Sequence, residues 1–332
     1  MEKILSVCIP SYNMEGFLGR CVDSMLVSEV LDKLEIIIVN DGSKDETLSI
    51  ANNYKQKYPN SIIIIDKPNG HYGSCVNEAL KVATGKYFRI VDADDWVDSE
   101  SFKKMIVTAL VTDVDVFFTK CMDCDFKINQ QIPRKYTDII YDTILDLNEY
   151  RVPECLLSMH SLTYRTQLLK DINYKQTEGI CYTDTEYVCF PMCQARTLYA
   201  MNNFLYQYYI GRDDQSMAFN SIERNLNHTY PLIKRFSEDK SYLKGNKNSK
   251  FIHDHFIEVS ATQLYIYSII FCRRNKERET KNRYLLSDIK EKNKEAFDII
   301  INIKAKNFIP YIKIWYYHPI LSYVLRCGKL FL

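Results

Sequence analysis

Apolar runs separated by polar turns recur along the first third of the chain. Residues 3–9, 35–39, 62–65 and 87–91 are near-continuous apolar runs of strand length, the pattern of strands buried on both faces. Helical periodicity fills the intervals. Phe17, Leu18, Cys21, Val22, Met25 and Leu26 share one face of a helix that Asn13 can cap and that runs to about Ser28. Ser43 and Glu46 form an S-x-x-E capping box opening a helix to about Tyr58. A third helix is expected over about 73–82, stopped by Thr84-Gly85, and a fourth over about 99–110, followed by a strand at 114–119. This alternation predicts a mostly parallel α/β sheet flanked by helices. The pattern is mixed up to about Ala218, where residues 197–209 are apolar and aromatic enough to return to the sheet. Beyond residue 219 it turns helical, near 222–238, 250–273 and 279–298, and the Lys-, Asn- and Gly-rich stretch 239–249 reads as a loop or linker. The expected organisation is an α/β domain over 1–218 plus an appended helical region over 219–332.

Charge sharpens that division. The 332 residues carry a formal net charge of +1, but residues 1–218 hold 22 Lys/Arg against 31 Asp/Glu, net −9, and residues 219–332 hold 21 against 11, net +10. The basic half suits an anionic partner, a membrane or an oligomer surface. With 46% hydrophobic residues the chain is folded and globular, which excludes disorder. The eleven cysteines read as reduced thiols, including the Cys121-Met-Asp-Cys124 pair, which has no second pair at zinc-site spacing. His253-Asp254-His255 reads as a solvated helix face. No run of 18 apolar residues stands in the chain, so a cytoplasmic protein is expected, peripheral at most on the inner face of the cell membrane. The acid-free, aromatic and basic tail 308–332 reads first as a C-terminal helix packed on its own domain, with a contact at that membrane face as its alternative.

Ligands of open parallel α/β sheets bind at the carboxyl ends of the strands. The polar residues there are Pro10, Tyr12 and Asn13, then Asn40 to Ser43, then Lys67, Asn69, Gly70 and Gly73, then Asp92, Asp94 and Asp95. The chain contains neither G-x-G-x-x-G nor G-x-x-x-x-G-K-[ST], so a diphosphate has to be held in another way. A hard divalent cation on Asp92-Ala93-Asp94 does this, and Tyr12 offers a stacking face for a base.

These segments resemble a family. Val7-Cys-Ile-Pro-Ser-Tyr-Asn13, Ile38-Val-Asn-Asp-Gly-Ser43, Asn69-Gly-His-Tyr-Gly-Ser-Cys-Val-Asn77, Ala83-Thr-Gly-Lys-Tyr87 and Val91-Asp-Ala-Asp-Asp95 are similar to the bacterial family 2 glycosyltransferases with a GT-A fold, a Rossmann-like nucleotide-diphospho-sugar transferase sheet. The resemblance covers 1–120 strongly and 150–218 moderately. It implies an inverting transfer of a hexose from a UDP-sugar such as UDP-glucose, UDP-galactose or an N-acetyl derivative, with Mn²⁺ or Mg²⁺ as cofactor. By the same resemblance, Pro10, Tyr12, Asn13, Asp41, Asn69, Gly70, Gly73, Asp92 and Ala93 bind the donor, with Tyr12 stacking on the base, and Asp94 binds the metal. Arg212, in Tyr209-Ile-Gly-Arg212, is the phosphate clamp. In Tyr182-Thr-Asp-Thr-Glu186 the Asp of the family's Glu-Asp pair is present but Thr183 stands in place of the Glu. Asp184 is therefore the expected base, with Glu186 as its substitute, and His160 lines the acceptor side.

Two other readings share these residues. A non-catalytic nucleotide-sugar-binding or scaffold protein would explain the broken Glu-Asp pair, and a nucleotidyltransferase would share the sheet and metal but would want a Gly-rich triphosphate loop. The expected acceptor is a hydroxyl of a glycan on a lipid carrier or of a glycoprotein. No nucleic-acid partner is expected, and a homodimer is a candidate assembly.

Overall fold

The computed structural model describes residues 2–212, 215, 218–273, 275–304 and 309–318. Its first compact unit comprises residues 1–211 with 244–249, and its second comprises 212–243 with 250–332.

The first unit is built on β1 (Leu5–Ser11), α1 (Leu18–Met25), β2 (Leu34–Asn40), α2 (Thr47–Lys57), β3 (Ile62–Asp66), α3 (His71–Val82), β4 (Tyr87–Ile90), β5 (Trp96–Val97) and α4 (Ser99–Val111). It continues through β6 (Val116–Asp125), β7 (Gln130–Pro133), β8 (Ile144–Asp146), β9 (Leu162–Arg165), α5 (Thr166–Asp171), α6 (Asp184–Gln194) and β10 (Thr197–Ile210). One sheet runs in the order β3-β2-β1-β4-β9-β6-β10-β5, with β7 on β6 and β8 on β10. The first four strands are parallel, as their apolar runs predict, whereas β9 is antiparallel to both β4 and β6. All seven residues of β2 are buried. The core on one face joins β1, β2 and β4 to α1 and α4 through Val7, Ile36, Tyr87, Leu18, Val22, Phe102 and Met105.

Helix starts depart from the local signals. Asn13 does not cap α1. It has φ 54°, its amide donates to Ser43 Oγ (3.0 Å) and its Oδ1 accepts from the Lys44 amide (2.8 Å), so it stitches two strand-end loops together. Ser43 is thereby taken, and the expected capping box is replaced by Asp45, whose Oδ1 accepts from the Thr47 amide at the start of α2.

The expected linker at 239–249 is in part a staple. Asn246 Nδ2 donates to the Met192 and Ala195 carbonyls (2.7 Å each), meeting acceptors left open at the end of α6, and Asn248 Nδ2 donates to those of Leu147 and Tyr150. At Gly245 an added Cβ would stand 1.8 Å from the Cys193 carbonyl oxygen. Gly245→Ala is expected to cost about 1–3 kcal/mol of stability in thermal denaturation. Gly16→Ala, where nothing lies within 4 Å of the new Cβ, should change it little.

The second unit is helical: α7 (Phe219–Asn225), α8 (Thr229–Glu238), α9 (Ser249–Ala261) continuing into a π-helical segment (Thr262–Phe271), α10 (Lys276–Lys292), α11 (Lys294–Ile301) and α12 (Tyr311–Tyr317). Its core includes Ile233, Phe236, Leu264, Tyr265, Leu286, Ile300 and Trp315. Asn275 and Asn293 cap α10 and α11 by accepting from the Arg278 and Ala296 amides. His253 is buried on α9, which corrects the reading of residues 253–255 as a solvated face. Of the aromatic tail, Tyr311, Ile312 and Trp315 are buried on α12, while residue 308 and residues 319–332 lie outside the described residues. Among the described residues no helix is long and apolar enough to cross a membrane.

Candidate active site

Parallel pairing brings the ends of β1 and β2 together, with Ser11 opposite Asn40, so Tyr12 and Asp41 leave the sheet side by side. Tyr12 is 47% exposed, with its ring available for stacking, and Pro10 is partly buried. Asp41 is buried. Its amide donates to the Ser11 carbonyl (2.8 Å), its Oδ1 accepts from the Gly70 amide (2.9 Å) and from Lys67 Nζ, and its carbonyl accepts from Asn69 Nδ2 (3.0 Å). The loop 67–70 is therefore wrapped around Asp41, and Lys67, which carries no motif signal, supplies the charge that makes burying this carboxylate tolerable.

Gly73 lies in the first turn of α3 and not in a loop. A Cβ there would stand 2.2 Å from the Thr177 carbonyl oxygen, so this glycine lets the segment before α6 cross the start of α3. That segment is tied down by an amide exchange between Asn77 and Gln176 and by the Gly179 amide donating to the Gly70 carbonyl (3.0 Å). Glu186 is wholly buried, and its two oxygens accept from the Thr177 amide and hydroxyl (2.7 Å each). It anchors the loop, which corrects its expected place as a substitute base on the acceptor side. Asp184, at the first position of α6, is only partly buried. Burial pushes its carboxyl up to about 6 against the pull of the Asp184 and Thr185 amides.

The β4 end carries the acids. The Asp95 amide donates to the Asp92 carbonyl (3.0 Å) to form a turn, after which β5 pairs with β10. Tyr206 buttresses the turn by donating to Asp95 Oδ2 (2.6 Å) and accepting from the Asp92 amide (3.2 Å), while the Tyr209 amide donates to Asp95 Oδ1 (2.7 Å). On the α1 side, Arg20 donates to the Asp94 carbonyl (2.7 Å). Tyr72 donates to Asp92 Oδ1 (2.9 Å). Ala93 is buried, and Asp92 and Asp94 are partly buried. Burial first, then the neighbouring Asp94 charge, raises the pKa of both Asp92 and Asp95, and the Asp184 charge adds to the effect on Asp92. The fold thus brings Asp184, from a distant segment, within electrostatic reach of the strand-end acids.

The donor atoms that the fold gathers for a metal differ from the expected one. Ligand atoms of Asp92, Asp95 and His160 lie within 4.8 Å of one another, and Asp94 is not in that set. His160 stacks against Tyr206 and Tyr208 and pairs through Nδ1 with Ser158 Oγ (3.1 Å). Burial, then the Arg134 and Arg89 charges, holds its pKa well below the ordinary value, so the imidazole is neutral and keeps a lone pair for a metal. The hydrogen bonds to Asp95 are of the kind that orient ligating carboxylates. Two carboxylates with one imidazole fit a divalent cation, Mn²⁺ better than Mg²⁺. Arg212 follows Gly211 (φ +114°) at the end of β10, where the second unit begins. Arg20, Tyr72 and Tyr206 were not singled out in the sequence, where only Tyr72 lies within a quoted motif, and Lys67 and Asp95 were placed at strand ends without a role.

The family model described as glycosyl transferase family 2 matches residues 6–172. A relative from Escherichia coli K12, the uncharacterized glycosyltransferase YibD, is 30% identical over 241 residues, 69% of this chain and 68% of its own length. The poly(ribitol-phosphate) beta-glucosyltransferase of Bacillus spizizenii is 28% identical over 217 residues, 64% of this chain. The chain spans only 33% of that relative's length. Among solved structures, Staphylococcus aureus TarS 1–349 in complex with UDP-GlcNAc aligns over 98% of this chain and 89% of its own, with a TM-score of 0.66 at 18% identity. That likeness shows the GT-A fold.

Proposed function

The chain belongs to glycosyl transferase family 2, and from that premise we propose that it moves a hexose from a UDP-sugar to an acceptor hydroxyl with inversion at the anomeric carbon. The observation that carries this reading is that the Asp184 charge acts on Asp92 and Tyr72, which supports Asp184 as a base working at the acid turn. The UDP-GlcNAc complex of the structural neighbour supports uridine as the nucleoside, and the poly(ribitol-phosphate) beta-glucosyltransferase supports a hydroxyl-bearing polymer as acceptor.

In this mechanism Tyr12 stacks on the uracil and the Asp41-organised loop 67–70 lies under the nucleoside. Asp92, Asp95 and His160 would hold a divalent cation, with Asp94 on the same turn, and its charge would offset that developing on the departing diphosphate. Asp184 takes the acceptor hydroxyl proton as that oxygen bonds to the anomeric carbon, and the bond to the diphosphate oxygen breaks with its electron pair on the leaving group.

Thermal shift with UDP and Mn²⁺ tests the reading. Stabilisation of wild type is expected, with a UDP affinity about 5- to 150-fold weaker in Tyr12→Ala, the equivalent of one stacked base. Wild type left unmoved by UDP, or Tyr12→Ala binding it equally well, would refute the nucleoside site. Release of UDP, and not of pyrophosphate, separates glycosyl from nucleotidyl transfer. UDP binding without transfer to any acceptor would favour a binding protein.

A further inference from the structure

A second cavity opens beside the acid turn, within the first unit. Its volume is about 280 Å³, near the ~300 Å³ lower end of ligand pockets, and its lining includes Trp96, Asp125, Phe126, Asn129, Gln130 and Gln131. Its place follows from the sheet. Strands β6 and β10 end together, with Asp125 opposite Ile210 and the Phe126 amide donating to the Ile210 carbonyl (3.1 Å). Trp96 begins β5, two residues after Asp94.

The aromatic wall is held in position from behind. The Arg20 guanidinium that grips the Asp94 carbonyl lies 3.9 Å from the Trp96 ring centroid, 5.6 Å from that of Phe126 and 5.1 Å from that of Tyr209. Phe126 meets Tyr209 edge-on at 4.5 Å and Trp96 at 6.1 Å. These contacts restrain the rings before any ligand arrives, so stacking on them costs little further ordering. Phe126 is nevertheless 52% exposed, a large apolar surface turned toward water. Asn129, Gln130 and Gln131 also line the cavity, and they bring amide groups, of backbone or side chain, that can donate and accept.

The lining contains no Lys or Arg but does contain the Asp125 carboxylate, which disfavours phosphate. A restrained aromatic ring with amides in the same lining suits a pyranose ring: its axial C–H bonds meet the negative face of the aromatic ring, and its equatorial hydroxyls pair with amides. We propose that this cavity is an acceptor subsite for one neutral pyranose ring, stacked on the exposed Phe126 ring beside Trp96 and hydrogen-bonded by amide groups of Asn129, Gln130 and Gln131. It rests on the glycosyl-transfer reading above, and it makes the acceptor a molecule that already carries a neutral sugar, the product of an earlier glycosyl transfer.

The chain has two tryptophans, so Trp315→Phe in the full chain leaves Trp96 as the only one. Titrating that variant with the methyl β-glycosides of glucose, galactose and N-acetylglucosamine, while following tryptophan emission, is expected to give a saturable change with at least one. Phe126→Ala and Gln131→Ala should each weaken the response about tenfold, the loss of one aromatic or hydrogen-bonded contact. Both residues are exposed, so the variants should fold, and UDP should stabilise them as it does wild type. No saturable response to any glycoside, a response that survives both substitutions, or an equal response to ribitol phosphate or uridine would overturn the subsite. The UDP shift separates the two readings: kept without a glycoside response it removes the subsite alone, and absent from wild type it removes the transfer reading.

Discussion

Asp184→Asn is expected to lower kcat for sugar transfer by about 10²- to 10⁴-fold, the usual worth of a positioned general base, while UDP binding stays within about twofold of wild type. The isosteric amide preserves the start of α6 but cannot take a proton. Because burial pushes the Asp184 carboxyl up to about 6, its basic form prevails above that pH. Wild-type kcat/KM should therefore fall about tenfold per unit below pH 6, and the residual activity of the variant should lose that limb. The folded pKa lies above the unfolded one. The protonated carboxyl thus stabilises the fold at low pH, and that contribution is lost as pH rises through about 6. At pH 8 the ionised group is a net cost even after the two amides at the helix start are counted, so Asp184→Asn should melt at or above wild type. A variant that transfers sugar at the wild-type rate, or that has lost UDP binding, would remove Asp184 from the role of base.

The second large effect concerns the acid turn. Chelation with EDTA is expected to abolish transfer, and Mn²⁺ to restore it. Asp92→Asn should reduce transfer by about 10³-fold or more, the scale of losing transition-state charge stabilisation. The ligand set is separated without nucleotide, by the shift in melting temperature with Mn²⁺ alone. If Asp92, Asp95 and His160 hold the ion, His160→Ala should weaken that shift and Asp94→Asn should largely keep it. The reverse result would move the cation to the outer carboxylate of the D-x-D. Full activity in EDTA with no response to Mn²⁺ would remove the cation altogether.

How far the sequence could be read depended on the range of the interactions involved. Strands β1 to β4 were legible because strands buried on both faces must be continuously apolar, and the helices between them followed from one-sided periodicity. Capping was not, since Asn13 and Ser43 act across loops 30 residues apart, where local capping rules do not reach. Glu186 was expected as the substitute base, yet its oxygens accept from Thr177. Gly73 was expected to bind the donor, yet its lack of a Cβ serves a segment about a hundred residues onward. His160 entered as an acceptor-side residue, but the two acids and two arginines that shape its chemistry come from other elements.

The residues that can do chemistry, and the sheet edge on which they gather, were determined by the sequence itself. Alternating apolar and helical segments leave few ways to wind a parallel sheet, and the polar strand ends then fall on one side. Only the tertiary structure decided what each carboxylate does. A carboxylate's role depends on its burial and its partners, some from distant segments, as Lys67 and Gly70 on Asp41 and Tyr206 and Tyr209 on Asp95, and some brought by the local fold, as Thr177 on Glu186 and the two amides at the start of α6 on Asp184.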